Sequence, residues 1–350
     1  MKNNKIIVGI THGDINGIGY EIIIKTFMDT RMLDFCIPIV YGSPKAAAYH
    51  RKALNINNFN FNNIKNPEEA NAKRTNIINC LDDNVKVELG KLTKHAGECA
   101  VISLESAVKD LKDGKIDVLV TAPINKSNIQ SDSFRFPGHT EYFSHQFNSE
   151  EVLMLMISDT LKIGVVAGHV PLQQVPAFIT VEKITKKLKI FNDSLIKDFG
   201  IRKPKIAVLG LNPHAGDNGL LGSEEEEIII PALNHLKEEN IMVFGPYPAD
   251  GFFGSGMFSK FDGTLAMYHD QGLAPFKTLI FESGVNFTAG LPIIRTAPVH
   301  GTAFELAGKD QASNESFRNA IYAVCDIYNK RNNLENLMKN RIKNYDTSEI

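Results

Sequence analysis

Short apolar runs rich in β-branched residues alternate along this chain with stretches in which apolar residues recur every three or four positions. Runs of the first kind are typical of strands buried on both faces of a sheet, and stretches of the second kind predict amphipathic helices. The runs predict strands at 5–10, 36–41, 117–121, 152–157, 161–166 and 205–211. The periodic stretches predict helices at 95–112, 181–199 and 314–328. This alternation indicates an α/β protein, and the short turn between 157 and 161 predicts a hairpin and therefore a mixed sheet.

Capping residues predict where further helices begin. Ser43 followed by Pro44 predicts the N-cap and first residue of a helix that ends near residue 54. The sequence 223–226 has the pattern of a capping box, which predicts a helix to about residue 239 and gives the acidic run a structural role. A short helix is expected from about 140 to 147. The Asn-rich stretch 56–76 predicts irregular strands without an active role, and the tail from 330 onward predicts a loosely packed polar segment.

Three histidines, His169, His214 and His269, each follow an apolar run at the point where it gives way to a turn. In α/β proteins, ligands and catalytic groups collect beyond the carboxyl ends of strands. Three imidazoles with an open fourth position would suit a catalytic divalent metal. Spacing alone leaves open the alternative of three unrelated histidines, each hydrogen-bonded at its own strand end, because no short-range pair such as HExxH is present.

Polar residues beside other apolar runs are candidates for anion binding. Thr140 lies in a Gly-His-Thr sequence at a predicted helix start, where backbone N–H groups are free, although a plain N-cap also explains it. Arg295 places a charge at the end of an apolar run, which favours a functional or paired arginine. Lys277 taken alone is typical of a solvated surface lysine. The glycine-rich loop 11–21 matches neither a dinucleotide nor a P-loop motif in its spacing.

Composition narrows the class of protein. The chain has 350 residues, of which 43% are hydrophobic, and this length predicts two domains. The net charge of −2 indicates neither a nucleic-acid partner nor a membrane-surface partner. Four scattered cysteines, a strand-like N-terminus and the lack of an apolar run of about 18 residues predict a cytoplasmic protein in reducing conditions.

Seven segments together resemble the 4-hydroxythreonine-4-phosphate dehydrogenase family of pyridoxal phosphate biosynthesis, in order over about 5–330. These segments are GDINGIGYE (13–21), PGHTE (137–141), GHVPL (168–172), LNPHAGDNGLLGSEE (211–225), GPYPADGFF (245–253), YHDQGLAPFK (268–277) and NFTAGLPIIRTAPVHGTAFELAGK (286–309). The resemblance implies an isocitrate/isopropylmalate dehydrogenase-like fold of two interleaved α/β/α domains with a cleft between them. It implies that 1–130 plus about 285–350 bind NAD, and that about 131–284 bind metal and substrate and form the dimer. A homodimer with shared active sites is also implied.

The resemblance implies roles for individual residues. The positions that match metal ligands are His169, His214 and His269. The positions that match substrate-binding residues are His139, Thr140, Lys277, Asn286 and Arg295. The positions that match the part binding the adenosine side of NAD, or NADP, are His300, Gly301, Thr302, Ala303 and Glu305. Lys277 is also expected to take part in catalysis, and Asp270 to orient its neighbour His269 or to accept a proton.

The chain departs from the family pattern at four positions. Ile15, Asn16 and Tyr20 replace the usual residues of GDPAGIGPE, and Val299 stands where many members carry an aspartate before the histidine. None of these changes touches a metal or substrate position. They affect what is expected of the nucleotide contacts.

The resemblance implies that 4-phosphooxy-L-threonine is oxidised at C3 and then loses CO2 to give 3-amino-2-oxopropyl phosphate. Zinc, cobalt, magnesium and manganese remain open as the metal, and histidine-only ligation favours zinc or cobalt. One alternative is the same chemistry on a phosphorylated threonate or erythronate. Others are a three-histidine metal hydrolase, which would turn over without NAD, and a non-catalytic binding protein that keeps the fold.

Overall fold

Twelve strands form one mixed sheet in this computed structural model, which describes residues 5–82, 84–131 and 134–339. The strands are β1 Ile6–Thr11, β2 Cys36–Gly42, β3 Asn62–Ile64, β4 Asn76–Asn79, β5 Val118–Thr121, β6 Leu153–Ile157, β7 Lys162–Ala167, β8 Lys205–Leu209, β9 Met242–Tyr247, β10 Gly263–Tyr268, β11 Val285–Ala289 and β12 Arg295–Pro298. The helices are α1 Gly19–Met28, α2 Met32–Phe35, α3 Pro44–Ala53, α4 Lys94–Lys112, α5 His139–Gln146, α6 Val175–Phe178, α7 Val181–Lys197, α8 Ile230–Glu238, α9 Ala249–Gly254, α10 His269–Leu279 and α11 Glu315–Lys339.

The strand order is β3-β4-β2-β1-β5-β12-β11-β6-β7-β10-β8-β9. The predicted hairpin is confirmed, since β6 and β7 pair antiparallel, and β11 is antiparallel to both β12 and β6. β10 lies between β7 and β8 and runs parallel to both. The sheet therefore places three parallel strand ends side by side, and each of them is followed by one of the three candidate histidines.

Helices cover both faces of the sheet. Consecutive strand residues point to opposite faces. In β2, Ile39 packs in an apolar cluster with α4, whereas Val40 packs in another with α1 and α11. A third cluster joins β7, β8 and β10 to α9 and α10. This layered arrangement confirms the predicted α/β class, and no helix among the described residues is long and apolar enough to span a membrane.

The last two strands lie in the middle of the sheet rather than at an edge. β12 pairs with β5, and β11 pairs with β6, so the carboxyl-terminal part of the chain stands between the two halves of the sheet. α11 packs its buried residues into the same cluster as β1 and α1. This arrangement agrees with the interleaved order of the two predicted domains, whose boundaries stay a prediction.

The start of α3 is as predicted, and the predicted capping box is wrong. Ser43 caps α3, because its Oγ accepts a hydrogen bond from the backbone N–H of Ala46 at 3.2 Å. The sequence 223–226 instead leads into a π-helical turn, Glu225–Ile229. No side chain caps the N-terminus of this turn. The buried carboxylate of Glu225 accepts from the backbone N–H groups of Leu211 and Asn212, which precede His214. Glu225 therefore holds the loop before His214 in place, and this tertiary contact overrides the local capping pattern.

The predicted end of the last helix near residue 328 is also wrong, whereas the predicted loose packing holds for 335–339, which are exposed. α11 continues to Lys339, and the Arg331 side chain forms an ion pair at 2.5 Å with the buried Asp198, the C-cap residue of α7. This long-range pair fixes the helix to the rest of the chain. Residues 340–350 lie outside the described residues.

The Asn-rich stretch forms two short parallel strands, β3 and β4, joined by a 3₁₀ turn at Pro67–Glu69. The side chain of Asn76 is fully buried and donates to the carbonyls of Pro38, Asn71 and Arg74. These bonds hold the connection between β3 and β4 against β2. The stretch is therefore an edge of the sheet in which asparagine satisfies backbone groups.

Candidate active site

A cavity of about 310 Å³ lies between the loop after β5, the start of α5, the segment after β7, and strands β11 and β12. Seven of the candidate residues line it: His139, Thr140, His169, Asn286, Arg295, His300 and Gly301. These residues come from distant parts of the sequence. The fold thus brings most of the candidate substrate residues and the start of the candidate nucleotide segment to one place.

The guanidinium of Arg295 is buried at this cavity and contacts only neutral groups. Its Nε donates to Thr121 Oγ1 at 3.0 Å, and its terminal nitrogens lie 3.3 Å from Asn286 Oδ1 and 3.0 Å from His139 Nδ1. Among the described residues it has no carboxylate partner, although the charge of Glu141 acts on it from a greater distance. Burial lowers the pKa of Arg295 to about 9. A buried cation without a counter-ion is costly, so this site favours a ligand that brings an anion.

Three buried polar atoms around the cavity lack a hydrogen-bond partner within the described part of the chain: His139 Nε2, His300 Nε2 and Glu141 Oε2. Burial lowers the pKa of His139 well below its usual range, and the nearby charges of Arg295 and Lys126 lower it further. Burial also lowers the pKa of His300. Buried polar groups in native proteins are nearly always satisfied. Groups left unpaired around one cavity therefore point to a bound ligand that completes them.

Helix α5 begins at the cavity without a side-chain cap. Its N-cap is Gly138, so the alternative in which Thr140 is a plain N-cap does not hold. Thr140 lies in the first turn and lines the cavity, so its hydroxyl is available there. Unpaired N–H groups at a helix start favour an anion.

The glycine-rich loop supports the candidate nucleotide segment through its backbone. The N–H of Ile18 donates to the carbonyl of Thr302 at 3.1 Å. A Cβ on Gly17 would lie only 2.8 Å from that oxygen, so glycine is required for this approach. Ala303 adopts a left-handed backbone with φ of 42° and starts a short 3₁₀ turn. Two of the predicted nucleotide residues, His300 and Gly301, line the 310 Å³ cavity. The other three, Thr302, Ala303 and Glu305, do not.

Two of the departing residues have structural roles in that loop. Asn16 donates to the carbonyl of Lys91 at 2.9 Å and to Thr93 Oγ1 at 3.0 Å. The ring of Tyr20 is fully buried between those of His12 and His50, with centroids 5.2 Å and 5.1 Å away. Asn16 and Tyr20 thus anchor the loop, and neither of them lines the cavity.

This ring stack predicts a loss of stability in acid. Burial lowers the pKa of His12 to about 3 and that of His50 to about 4, against about 6.5 in the unfolded chain. The unfolded state therefore binds more protons below pH 6.5. The contribution to stability is complete above that pH and is lost as the pH falls from 6.5 toward the folded-state values.

We expect His50→Gln to reduce the stability lost between pH 7.5 and pH 5 by about 2 kcal/mol, since one buried imidazole no longer charges on unfolding. Urea unfolding of both proteins at the two pH values measures this. His235→Gln, at an exposed position of α8, is the control and should keep the wild-type pH dependence. An unchanged pH dependence in His50→Gln would contradict the role of the stack.

Two of the three candidate metal ligands face each other. The rings of His169 and His269 have centroids 5.8 Å apart. In both, the Nδ1 atom is directed to a carboxylate: Glu141 Oε1 lies 3.8 Å from His169, and Asp270 Oδ1 lies 2.6 Å from His269. Carboxylates at Nδ1 are the usual partners of metal-binding histidines, because they leave Nε2 free as the ligand. Two of the expected ligands are thus arranged as metal-binding histidines are, although the Nζ of Lys126 lies 3.4 Å from His169 Nε2. Asp270 lies where the orienting role expected of it would place it.

His214 does not join the other two histidines. It lies in the 3₁₀ turn Pro213–Gly216 after β8 with a left-handed backbone, φ of 54°. In 5–82, 84–131 and 134–339 no three His, Cys, Asp or Glu side chains are grouped closely enough to hold a metal ion. Lys277 is also apart, since it lies in the last turn of α10 and does not line the cavity. His214 and Lys277 are therefore missing from the cavity of the single chain, and His269, Asp270, Thr302, Ala303 and Glu305 do not line it either.

Sequence reasoning missed two charged residues of the cavity, Lys126 and Glu141. Lys126 follows β5 as the candidate histidines follow their strands, so its position was a usable signal. Its Nζ lies 3.4 Å from His169 Nε2. Glu141 stands in the PGHTE segment directly after two predicted substrate residues, and His169 lowers its pKa.

The α/β sheet and its cavity, with an unpaired buried arginine among imidazoles, define the class of α/β enzymes that bind small anionic ligands. Residues 34–324 match the sequence model of the family described as pyridoxal phosphate biosynthetic protein PdxA, and the chain belongs to this family. The predicted family is confirmed, and with it the prediction of a dehydrogenase enzyme. Membership of a dehydrogenase family implies the use of NAD or NADP.

Individual relatives agree with this assignment. The chain is 54% identical to the 4-hydroxythreonine-4-phosphate dehydrogenase of Bacteroides thetaiotaomicron, over 95% of this chain and 91% of that one. It is 37% identical to the D-threonate 4-phosphate dehydrogenase of Cupriavidus necator, over 95% and 100%. The structure of the 4-hydroxythreonine-4-phosphate dehydrogenase of Klebsiella pneumoniae has a TM-score of 0.82 at 32% identity, covering 94% and 99%.

The predicted relationship of the fold to isocitrate dehydrogenase is confirmed as well. The isocitrate dehydrogenase of Methylococcus capsulatus matches with a TM-score of 0.50 at 12% identity, covering 95% of this chain and 89% of that one. At this identity the likeness concerns the fold alone.

Proposed function

We propose that the chain oxidises 4-phosphooxy-L-threonine at C3 with NAD or NADP and then decarboxylates the product, in pyridoxal phosphate biosynthesis. The observation that carries this proposal is Arg295, a buried cation without a carboxylate partner in the described chain, at a cavity that the nucleotide segment also reaches. A phosphorylated amino acid supplies the anion that this cavity lacks. The family and the similarity to relatives of that name support the same substrate.

The residues around Arg295 would position the substrate. The guanidinium offers paired donors to an oxyanion, with Thr140 and the start of α5 offering a hydroxyl and N–H groups to the same ligand. His139 Nε2 and His300 Nε2 have no hydrogen-bond partner among the described residues and would bind the remaining polar groups of the substrate. A substrate fixed in this way would lie beside His300 and Gly301, the start of the segment expected to bind the adenosine side of the cofactor.

A divalent metal would be held by His169, His214 and His269, and zinc or cobalt suits such a donor set better than magnesium. When bound, such an ion lowers the pKa of a coordinated hydroxyl and stabilises negative charge on oxygen. Glu141 and Asp270 would keep the Nδ1 protons of two ligands and so present their Nε2 atoms.

The reaction then balances in two steps. The C3 hydrogen leaves as hydride to the nicotinamide and the hydroxyl proton is lost, which gives a β-keto acid and the reduced cofactor. The carboxylate leaves as CO2, its bonding electrons pass to the new carbonyl, and carbon takes up a proton. The fixed anion contacts hold the substrate through both steps, which lowers the entropic part of each barrier.

A second copy of the chain would complete the site. His214 and Lys277 do not reach the cavity of one chain, although both match functional positions of the family. A homodimer with shared sites, as the family implies, would bring such residues from the partner. An isologous interface would give two equivalent composite sites in each dimer.

Mixing inactive variants tests this sharing. His169→Ala and Lys277→Ala are each expected to be inactive, because one lines the cavity and the other matches a substrate anchor. After subunit exchange, half of the dimers are mixed and each holds one intact site, so about a quarter of wild-type activity is expected. Mass spectrometry verifies the exchange. Verified heterodimers without activity would place both residues on one subunit.

A substrate panel tests the proposed reaction. Wild-type protein with NAD is expected to form NADH from 4-phosphooxy-L-threonine far faster than from D-threonate 4-phosphate or erythronate 4-phosphate. The second candidate is D-threonate 4-phosphate oxidation, which the 37% identity to a relative of that name favours. Preference for that compound would replace the first proposal. Turnover of a phosphoester without NAD would reject both and favour a metal hydrolase.

A further inference from the structure

We propose that Lys126 is a further substrate-binding residue, which holds a second anionic group of the ligand whose first anionic group Arg295 binds. This inference rests on the proposed function, because it concerns how the same cavity holds a phosphorylated acid. Lys126 matches none of the positions carried over from the family. Its role follows from where the fold places it.

Lys126 is directed into the cavity from the loop after β5. It lines the cavity, and its Nζ lies 3.4 Å from His169 Nε2 on the opposite wall. Its Cε lies 3.7 Å from the position that a Cβ on Gly138 would take, so its stem packs over the N-cap of α5. The ammonium therefore stands between the start of α5 and His169.

The ammonium has hydrogen-bonding capacity to spare. A lysine carries three N–H donors, and the described structure gives Lys126 one acceptor, an imidazole nitrogen at a long distance. It forms no ion pair with a carboxylate of the described residues. Lys126 is an exposed residue, and in the described conformation its Nζ lies at the cavity beside His169. It can thus contact a ligand without breaking a bond that the fold requires.

The charges at the cavity match a ligand with two anionic groups. Among the lining residues, Arg295 and Lys126 carry the positive charges of an arginine and a lysine, and Glu141 is the acidic residue. A phosphate monoester carries about −1.5 to −2 charges at neutral pH, and a carboxylate adds one more. Arg295 is fixed by Thr121 and Asn286, so it can hold one of these groups. The other group needs a second cation, and Lys277 is not at the cavity of this chain.

The two cations act on the same region. The N-terminal turn of α5 lies between them, since Arg295 contacts His139 at 3.0 Å and Lys126 packs beside Gly138. Their positive charges both lower the pKa of His139. The helix start adds unpaired N–H groups to this positive region. A ligand with an anionic group at each end can bridge Arg295 and Lys126 across the start of α5.

Calorimetry with Lys126→Met, Lys126→Arg and the control Lys52→Met tests the proposal. Lys52 is exposed in the last turn of α3 and does not line the cavity. The ligands are 4-phosphooxy-L-threonine, D-threonate 4-phosphate and inorganic phosphate, each without NAD. Lys126→Met is expected to weaken binding of the two phosphorylated acids by about ten- to a hundredfold. Lys126→Arg should retain most of the affinity, and the Kd for NAD and the Tm should stay unchanged.

Inorganic phosphate identifies the group that Lys126 holds. Weaker phosphate binding by Lys126→Met means that Lys126 contacts the phosphate, and unchanged phosphate binding means that it contacts the carboxylate end. Equal affinities of Lys126→Met and Lys52→Met for all three ligands would overturn the inference. A wild type that binds the phosphorylated acids but does not oxidise 4-phosphooxy-L-threonine would reject the proposed function instead, and the affinities of Lys126→Met and Lys52→Met for those acids would still decide for or against Lys126.

Discussion

Replacing Arg295 by methionine is expected to raise the KM for the phosphorylated substrate by about ten- to a hundredfold while the KM for NAD changes little. The guanidinium is buried beside Thr121, Asn286 and His139, and its charge has no carboxylate partner in the described chain. A hydrogen bond to a charged group contributes about 1.5–3 kcal/mol, which corresponds to that loss of affinity. Methionine keeps much of the packing volume and removes the charge.

Arg331→Met is the matched control for this change. Arg331 is also largely buried, but it pairs with Asp198 and lies outside the 310 Å³ cavity. Its loss leaves a buried carboxylate unpaired, so the control should lower the free energy of unfolding and leave both KM values unchanged. Arg295→Met is expected to do the reverse, raising the KM for the phosphorylated substrate with little effect on the free energy of unfolding. Equal increases of both KM values in Arg295→Met would count against an anion contact.

His214→Ala is expected to lower metal content and to reduce NADH formation by more than about a hundredfold. Loss of groups that only orient metal ligands already costs ten- to a hundredfold, and His214 is proposed as a ligand itself. The fold should survive, since the loop around it is held by Glu225 through Leu211 and Asn212 rather than by the imidazole.

Elemental analysis, steady-state rates and thermal unfolding of the His214→Ala protein check the three parts of this prediction. His235→Ala serves as the control, because His235 is exposed on α8, pairs with Glu239 and does not line the cavity. It should keep metal, rate and Tm. Full metal occupancy with normal turnover in His214→Ala would contradict the assignment of this histidine.

Several features of the fold could be predicted from the sequence because they depend on local sequence. The hydrophobic runs identified the strands that precede His169, His214 and His269, and the structure places those strands next to one another. Ser43 and Pro44 predicted the start of α3 for a local reason, the capping of free N–H groups. Adjacent parallel strands end at the same edge of a sheet, so the pattern placed the three histidines at one edge, but it did not show that His214 stays apart from the other two.

Other features depend on contacts between distant residues, which no local pattern encodes. Arg295 contacts Thr121 across 174 positions of sequence and His139 across 156. The sequence 223–226 was expected to form a capping box, but the carboxylate of Glu225 instead accepts hydrogen bonds from the loop before His214. In the same way, the pair between Arg331 and Asp198 extends α11 beyond its predicted end. Tertiary contacts of this kind override local propensity.

The central claim is that this cavity couples hydride transfer from a phosphorylated hydroxy acid to decarboxylation. Its most direct test is the stoichiometry of the complete reaction with 4-phosphooxy-L-threonine, with and without prior chelation. The account predicts equal amounts of NADH, CO2 and 3-amino-2-oxopropyl phosphate, no turnover after chelation, and recovery on adding zinc or cobalt. Unimpaired turnover by the metal-depleted protein, or NADH formed without CO2, would contradict it.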